Sequence, residues 1–264
     1  MLEYEFFRLA LIGVAIISVA AAIIGTYIIT RRMVSIAGGV THACFGGLGL
    51  GYWLGISPVL MAGVFAVISS LGVEWMSTRM RVRQDSAIAV VWALGMAAGV
   101  FFVFLTPGYV PELNSFLFGN ILTVTKADLA AFAIYTAVLV AVFCTGYRLI
   151  VCCAFDPDFA RVAGLPVKTV QIVMTVMVAL CIVLTIRLVG IMLLMSMLSL
   201  PMMVAETFVH RLKPMILWSA VVSLVCSVGG LFIGTVVDVP CSALIVLLMA
   251  ALLIGARGVR ALVQ

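Results

Sequence analysis

The sequence predicts an all-α integral membrane protein, and three observations carry that prediction. Of 264 residues, 66% are hydrophobic and only 9% are charged, which is too little charge to clothe a water-soluble domain of this size. The apolar stretches run for about twenty residues, the length of a membrane-spanning helix, rather than the ten-residue alternation of a barrel strand. Lys and Arg stand singly or in small groups between those stretches, as connections between spans require. In hydrocarbon every peptide group needs an internal partner, so runs of this length must be helical.

Nine candidate spans follow in order, near 6–30, 34–54, 57–76, 86–105, 128–149, 168–186, 188–205, 214–235 and 241–257. The opening segment MLEYEFFRLA carries acids where a removable signal carries bases, so it reads as the start of the first span. The weakest division falls between spans six and seven, where Arg187 alone interrupts LCIVLTIRLVGIMLLMSM and a re-entrant break would serve as well as two crossings. Pro201 lies within span seven, where a missing amide hydrogen predicts a kink near Met197.

Cations gather on cytoplasmic connections, and this fixes an orientation. With the N-terminus outside, Arg31, Arg32, Arg79, Arg81, Arg83, Arg148, Arg161, Lys168, Arg211, Lys213, Arg257 and Arg260 all face the cytoplasm. Only Arg8, Lys126 and Arg187 face out. That distribution predicts an odd number of spans and a cytoplasmic C-terminus, in a multi-pass protein of the inner (cytoplasmic) membrane. The chain reads as one transmembrane domain over 1–264, with its most informative cytoplasmic connection near 150–167. The external connection containing SFLFGNILTV is too apolar for a solvated loop and reads as a short hairpin or re-entrant segment.

The net charge of +5 does not imply nucleic acid, because the cations form no continuous stripe. Seven cysteines fall mostly inside apolar runs, as small buried hydrophobes do, and the Cys152 and Cys153 pair has no second pair to complete a metal site. Fifteen methionines follow no repeated spacing and read as core filling. No phosphate-binding loop of the GxxxxGK[ST] type is present, and no nucleophile and base are paired on the spans, so the chain reads as a transport subunit rather than an enzyme.

Three sets of residues remain as candidates for function. His42 stands inside span two among Gly38, Gly39, Gly46, Gly47, Gly49 and Gly51. An ionisable group there either lines a pathway or hydrogen-bonds a neighbouring carbonyl in a tightly packed helix. Glu206 and His210 share a helical face at the inner end of span seven, as a metal exit site or as an interfacial pair. AFDPDFARVAGLP has the marks of a short surface helix, with Asp156 as N-cap, Pro157 in the first turn, and Gly164 and Pro166 as stop. Phe155, Phe159 and Val162 form its small apolar face, which either lies on the membrane or enters a cleft of a cytoplasmic partner.

Taken in order, RRMVSIAGGVTHACFGGLGLG, DSAIAVVWALGMAAGV, LNSFLFGNILTVTKADL, FDPDFARVAGLPV, RLVGIMLLMSMLSLPMMVAE and DVPCSALIVLLMAALL resemble the integral-membrane subunit of the zinc and manganese ABC importers along nearly the whole chain. The resemblance implies a homodimeric permease that docks a cytoplasmic ABC ATPase and receives metal from an extracytoplasmic metal-binding protein. Zinc or manganese is then the transported substrate, no cofactor is held covalently, and ATP enters only through the partner. In such permeases span two reads D-A-x-[ST]-H-A. His42 and Thr41 match it, while Gly38 stands where the family has Asp. Loss of that carboxylate implies a nitrogen site that suits zinc better than manganese. Glu206 stands where the family usually has Arg, and so returns a carboxylate to the pathway. The resemblance further assigns Phe155, Asp156, Pro157, Phe159, Ala160 and Gly164 to ATPase contact. A proton-coupled secondary transporter would need titratable groups in several spans, and a permease for an iron chelate would not need His42.

Overall fold

The computed structural model describes residues 4–107 and 124–263. Among them the chain forms ten helices: α1 Glu5–Thr30, α2 Val34–Leu54, α3 Pro58–Arg79, α4 Gln84–Leu105, α5 Lys126–Thr145, α6 Tyr147–Phe155, α7 Pro157–Val162, α8 Val167–Phe208, α9 Leu212–Val237 and α10 Cys241–Val263. Eight of them are long and apolar enough to cross a membrane, all but α6 and α7. The expected hairpin around SFLFGNILTV lies outside the described residues.

The nine expected spans correspond to eight helices because the sixth and seventh run together in α8, as two helical stretches joined across a kink. Its 42 residues carry about 63 Å of helix in total at the helical rise, roughly twice the thickness of a hydrocarbon core. The backbone breaks at Gly190, with φ 79° and ψ 172°, and not at Arg187 or Pro201. Glycine adopts a positive φ without the Cβ clash that other residues meet. Pro201 is accommodated inside the helix, so the kink expected near Met197 lies instead about seven residues upstream, at Gly190, the residue with the freer backbone. Span five likewise ends early, since Gly146 separates α5 from α6.

The chain packs as two units, one drawn from residues within 1–29, 113–141 and 184–264, the other from 30–112 and 142–183. In the first unit, the second half of α8 lies along α1. A side chain at Gly25 would strike the Leu198 carbonyl, and Thr26 Oγ1 reaches Met202 Sδ at 3.2 Å. At the other end of α1, Lys126 pairs with Glu5 at 2.6 Å and Arg187 with Asp128 at 3.0 Å. Four charged residues therefore collect beside the Gly190 break.

The second unit is organised by glycine. A Cβ on Gly49 would lie 2.5 Å from the Gly99 carbonyl oxygen, and one on Gly99 would lie 2.7 Å from the Phe45 carbonyl carbon. Gly39 faces Ile88 and Gly95 faces Ala43 in the same way. Residue numbers rise together along both helices, so α2 and α4 run in the same direction at backbone contact, the geometry that small residues permit. Pro58 and Met61 of α3 meet Gly51 and Gly47 in the reverse order, so α3 is antiparallel to α2.

Candidate functional site

His42 sits one helical step from the α2–α4 contact, and the packing of small residues around it determines what it meets. Ile88, Trp92, Gly95 and Gly99 form one stripe of α4, and His42 stacks on Trp92 with ring centroids 4.5 Å apart and planes 4° from parallel. The Nδ1 atom of His42 is buried with no hydrogen-bond partner. A ring nitrogen in this position usually has a donor or acceptor beside it; here His42 is held by its aromatic face and Nδ1 has none among the described residues. Gly38, one turn earlier on the same face of α2, is buried and brings no side chain to it.

Thr41 behaves differently from its neighbour. It is wholly buried, and its hydroxyl donates to the Ala37 carbonyl of its own helix, so its one proton is already committed. Among the described residues no group of three or more His, Cys, Asp or Glu side chains converges to hold a metal ion. His42 is therefore the sole strong nitrogen donor that α2 brings to this position.

Glu206 and His210 do come together, at a cavity of about 480 Å³ that they share with Arg257 and Arg260. Arg260 donates to the Thr207 carbonyl at 2.8 Å and ties the end of α10 to the end of α8. Two guanidinium groups beside the pair make the cavity unfavourable for a divalent cation, and the interfacial reading of the pair fits these surroundings. No further His, Cys, Asp or Glu among the described residues joins Cys152 and Cys153 to complete a metal site. Burial, and then the neighbouring Cys152, push the Cys153 thiol up, against an opposing pull from Arg31, which favours the protonated thiol.

The segment 155–164 folds as its sequence predicts. Asp156 Oδ1 accepts from the Phe159 amide at 2.9 Å, and Pro157 opens the six-residue α7. Gly164 closes it at φ 76°, with the Leu165 amide bonded to the Ala160 carbonyl at 2.9 Å, a left-handed stop of the kind glycine favours. Phe155, Phe159 and Val162 are exposed at 64%, 62% and 90%. An apolar face bared to this degree outside the long spans is open to the membrane surface or to a partner. Ala160 is fully buried and supports that face from beneath, whereas the other five residues lie at the surface or its edge.

Two features escape a reading of the sequence alone. Trp92 gives no motif that would pair it with His42. Arg31, which the sequence marks only as a topological charge, has a largely buried side chain, with Nη1 unpartnered and Nη2 3.9 Å from Glu74 of α3.

Residues 3–259 match the model of the ABC 3 transport family. The chain belongs to that family. It is 32% identical over 238 residues to a probable metal transport system membrane protein of Chlamydia trachomatis, covering 88% of this chain and 81% of the relative. It is 28% identical over 255 residues to the manganese transport system membrane protein MntC of Halalkalibacterium halodurans, covering 96% and 86%. The solved structure of PsaBC from Streptococcus pneumoniae in complex with Fab superimposes with a TM-score of 0.83 at 26% identity, over 96% of this chain and 91% of that one. The protein is thus a multi-pass membrane permease of the ABC 3 transport family, with the helical fold that its hydropathy pattern predicts.

Proposed function

We propose that this permease carries a divalent transition metal, with zinc favoured over manganese, into the cell through an ATP-driven importer. The observation that carries this reading is His42, a membrane-embedded imidazole stacked on Trp92 with its Nδ1 buried and unpartnered. An ionisable residue inside a span is costly unless it serves a pathway, and imidazole is a ligand for borderline divalent metals. The relatives named for metal and manganese transport support the class of cargo. Zinc is favoured because Gly38 supplies no oxygen ligand one turn from His42, and a nitrogen-only site suits a softer ion. Two copies of the chain, each contributing one imidazole to a shared route, would complete a site that one copy leaves incomplete.

ATP hydrolysis belongs to a cytoplasmic partner that receives Phe155, Asp156, Pro157, Phe159 and Gly164, with Ala160 packed behind them, and an extracytoplasmic metal-binding protein delivers the ion. The exposed apolar face of α7 supports the first contact. Thr41 stands beside the ligand with its hydroxyl committed to Ala37, and Glu206 and His210, next to Arg257 and Arg260, are an interfacial pair at the cytoplasmic end and not metal ligands.

Radioactive zinc and manganese uptake by cells lacking other importers, with the ATPase and binding protein co-expressed, tests the proposal. Replacement of His42 by Ala abolishes uptake while assembly with the ATPase persists. Full zinc uptake by that variant would return His42 to the role of a packed core residue.

A further inference from the structure

The second unit holds a cavity of about 500 Å³ between α3, α7 and the first half of α8. It shares no residue with the His42 site or with the assigned ATPase contacts. Its wall has two chemical halves. Trp75 and Ile172 line one half and are 56% and 50% exposed, on helices whose remaining length is apolar enough to cross a membrane. Arg79, Arg161 and Lys168 line the other half.

The carboxylates nearby leave much of that positive charge uncompensated. Glu74 also lines the cavity, but it faces Arg31 at 3.9 Å. Arg161 is bonded to Asp158 at 2.9 Å. Among the described residues Arg79 and Lys168 have no acidic partner. Two free cations therefore stand at the polar rim of a cavity whose other wall is apolar.

We propose that this cavity binds the headgroup of an anionic phospholipid from the cytoplasmic leaflet, with the phosphate at Arg79 and Lys168 and the first methylenes along Trp75 and Ile172. Basic pockets between spans on the cytoplasmic side take such headgroups, and tryptophan sits at the same interfacial level. An acidic side chain of a soluble partner would match the cations but leave the apolar wall facing nothing, whereas a lipid satisfies both halves. Because Arg161 lies on α7, a bound headgroup steadies the docking helix against α3 and α8. The assignment rests on the proposed orientation, in which Arg79 and Arg161 face the cytoplasm.

Native mass spectrometry of the permease–ATPase complex, extracted from vesicles of equal phosphatidylglycerol and phosphatidylcholine, reads the site directly. Wild-type complex retains phosphatidylglycerol in preference to phosphatidylcholine. Arg79→Gln combined with Lys168→Gln lowers that retention by roughly tenfold or more, and Arg211→Gln combined with Lys213→Gln, equally basic but distant in the chain, leaves it unchanged. Where the double variant fails to assemble, Lys168→Gln alone gives a smaller loss in the same direction. Equal retention of both lipids overturns the proposal, as does loss of ATPase co-purification with lipid retention intact, which would give the cations to a protein partner. A reporter fused after Val82 reads the orientation separately. A cytoplasmic signal without headgroup preference overturns the lipid site alone, while an external signal overturns the orientation and the site with it.

Discussion

At the scale of single residues, His42 carries the proposed chemistry, and its surroundings make two substitutions informative. Trp92 covers one face of the imidazole, so Trp92→Phe keeps a stacking partner while Trp92→Ala removes it. Aromatic pairs of this kind contribute about 0.5–1.5 kcal/mol beyond area burial. Uptake near wild type in the Phe variant, with several-fold lower uptake in the Ala variant at equal membrane abundance, is the expected pattern. Equal uptake by both would remove Trp92 from the positioning of His42. Gly38→Asp restores a carboxylate one turn from His42, and it is expected to tighten metal binding and broaden uptake toward manganese, measured as the ratio of the two isotopes. A ratio unchanged from wild type would show that the absent carboxylate does not set selectivity.

Elements add constraints that no residue carries alone. The α2–α4 contact depends on backbone meeting backbone, so Gly99→Val forces atoms 2.7 Å from the Phe45 carbonyl carbon to move. Overpacking of this kind costs about 1–3 kcal/mol, and a lowered melting temperature in detergent, together with loss of uptake, is expected. The docking helix responds to a different lever. Asp156→Ala removes the cap bond to the Phe159 amide and costs about 1 kcal/mol of local stability. Asp156→Arg also reverses charge at the helix N-terminus. Gly164→Trp has open space around it but must hold φ at 76°, where a side chain is strained. Asp156→Arg and Gly164→Trp are expected to uncouple the ATPase without unfolding the permease, and co-purification of the ATPase at wild-type yield would count against that contact.

For the whole molecule the open quantity is the number of crossings, and α8 decides it. If α8 crossed once, Arg211, Lys213, Arg257 and Arg260 would all move outside, against the tendency of cations to stay in the cytoplasm. The stretches of α8 on either side of Gly190 are about 34 and 27 Å long at the helical rise, each near the thickness of the hydrocarbon core. The break lies beside Glu5, Lys126, Asp128 and Arg187, charges that belong at a membrane surface and not at its midplane. We propose nine crossings with an external N-terminus. Reporter fusions after Val82 and after Arg161 are both expected to read cytoplasmic, and one after His210 is expected to do the same. An external reading after His210 would reduce α8 to a single crossing.

Composition and run length by themselves determined that this chain is helical and spans a membrane, because the bilayer leaves a backbone few alternatives. The local signals of α7 were equally legible: a capping aspartate, a first-turn proline and a left-handed glycine act over a few residues of chain. His42 stood out because a lone ionisable side chain in an apolar run is expensive wherever that run folds. Tertiary structure alone decided that Trp92 covers the imidazole, that Ala160 turns inward, and that Arg79 and Lys168 share a cavity with Trp75. Each of these depends on which helix faces which. Among nearly uniform apolar helices that choice is made by the close approach of glycines and by a few charged ends, neither of which has a partner written beside it in the sequence.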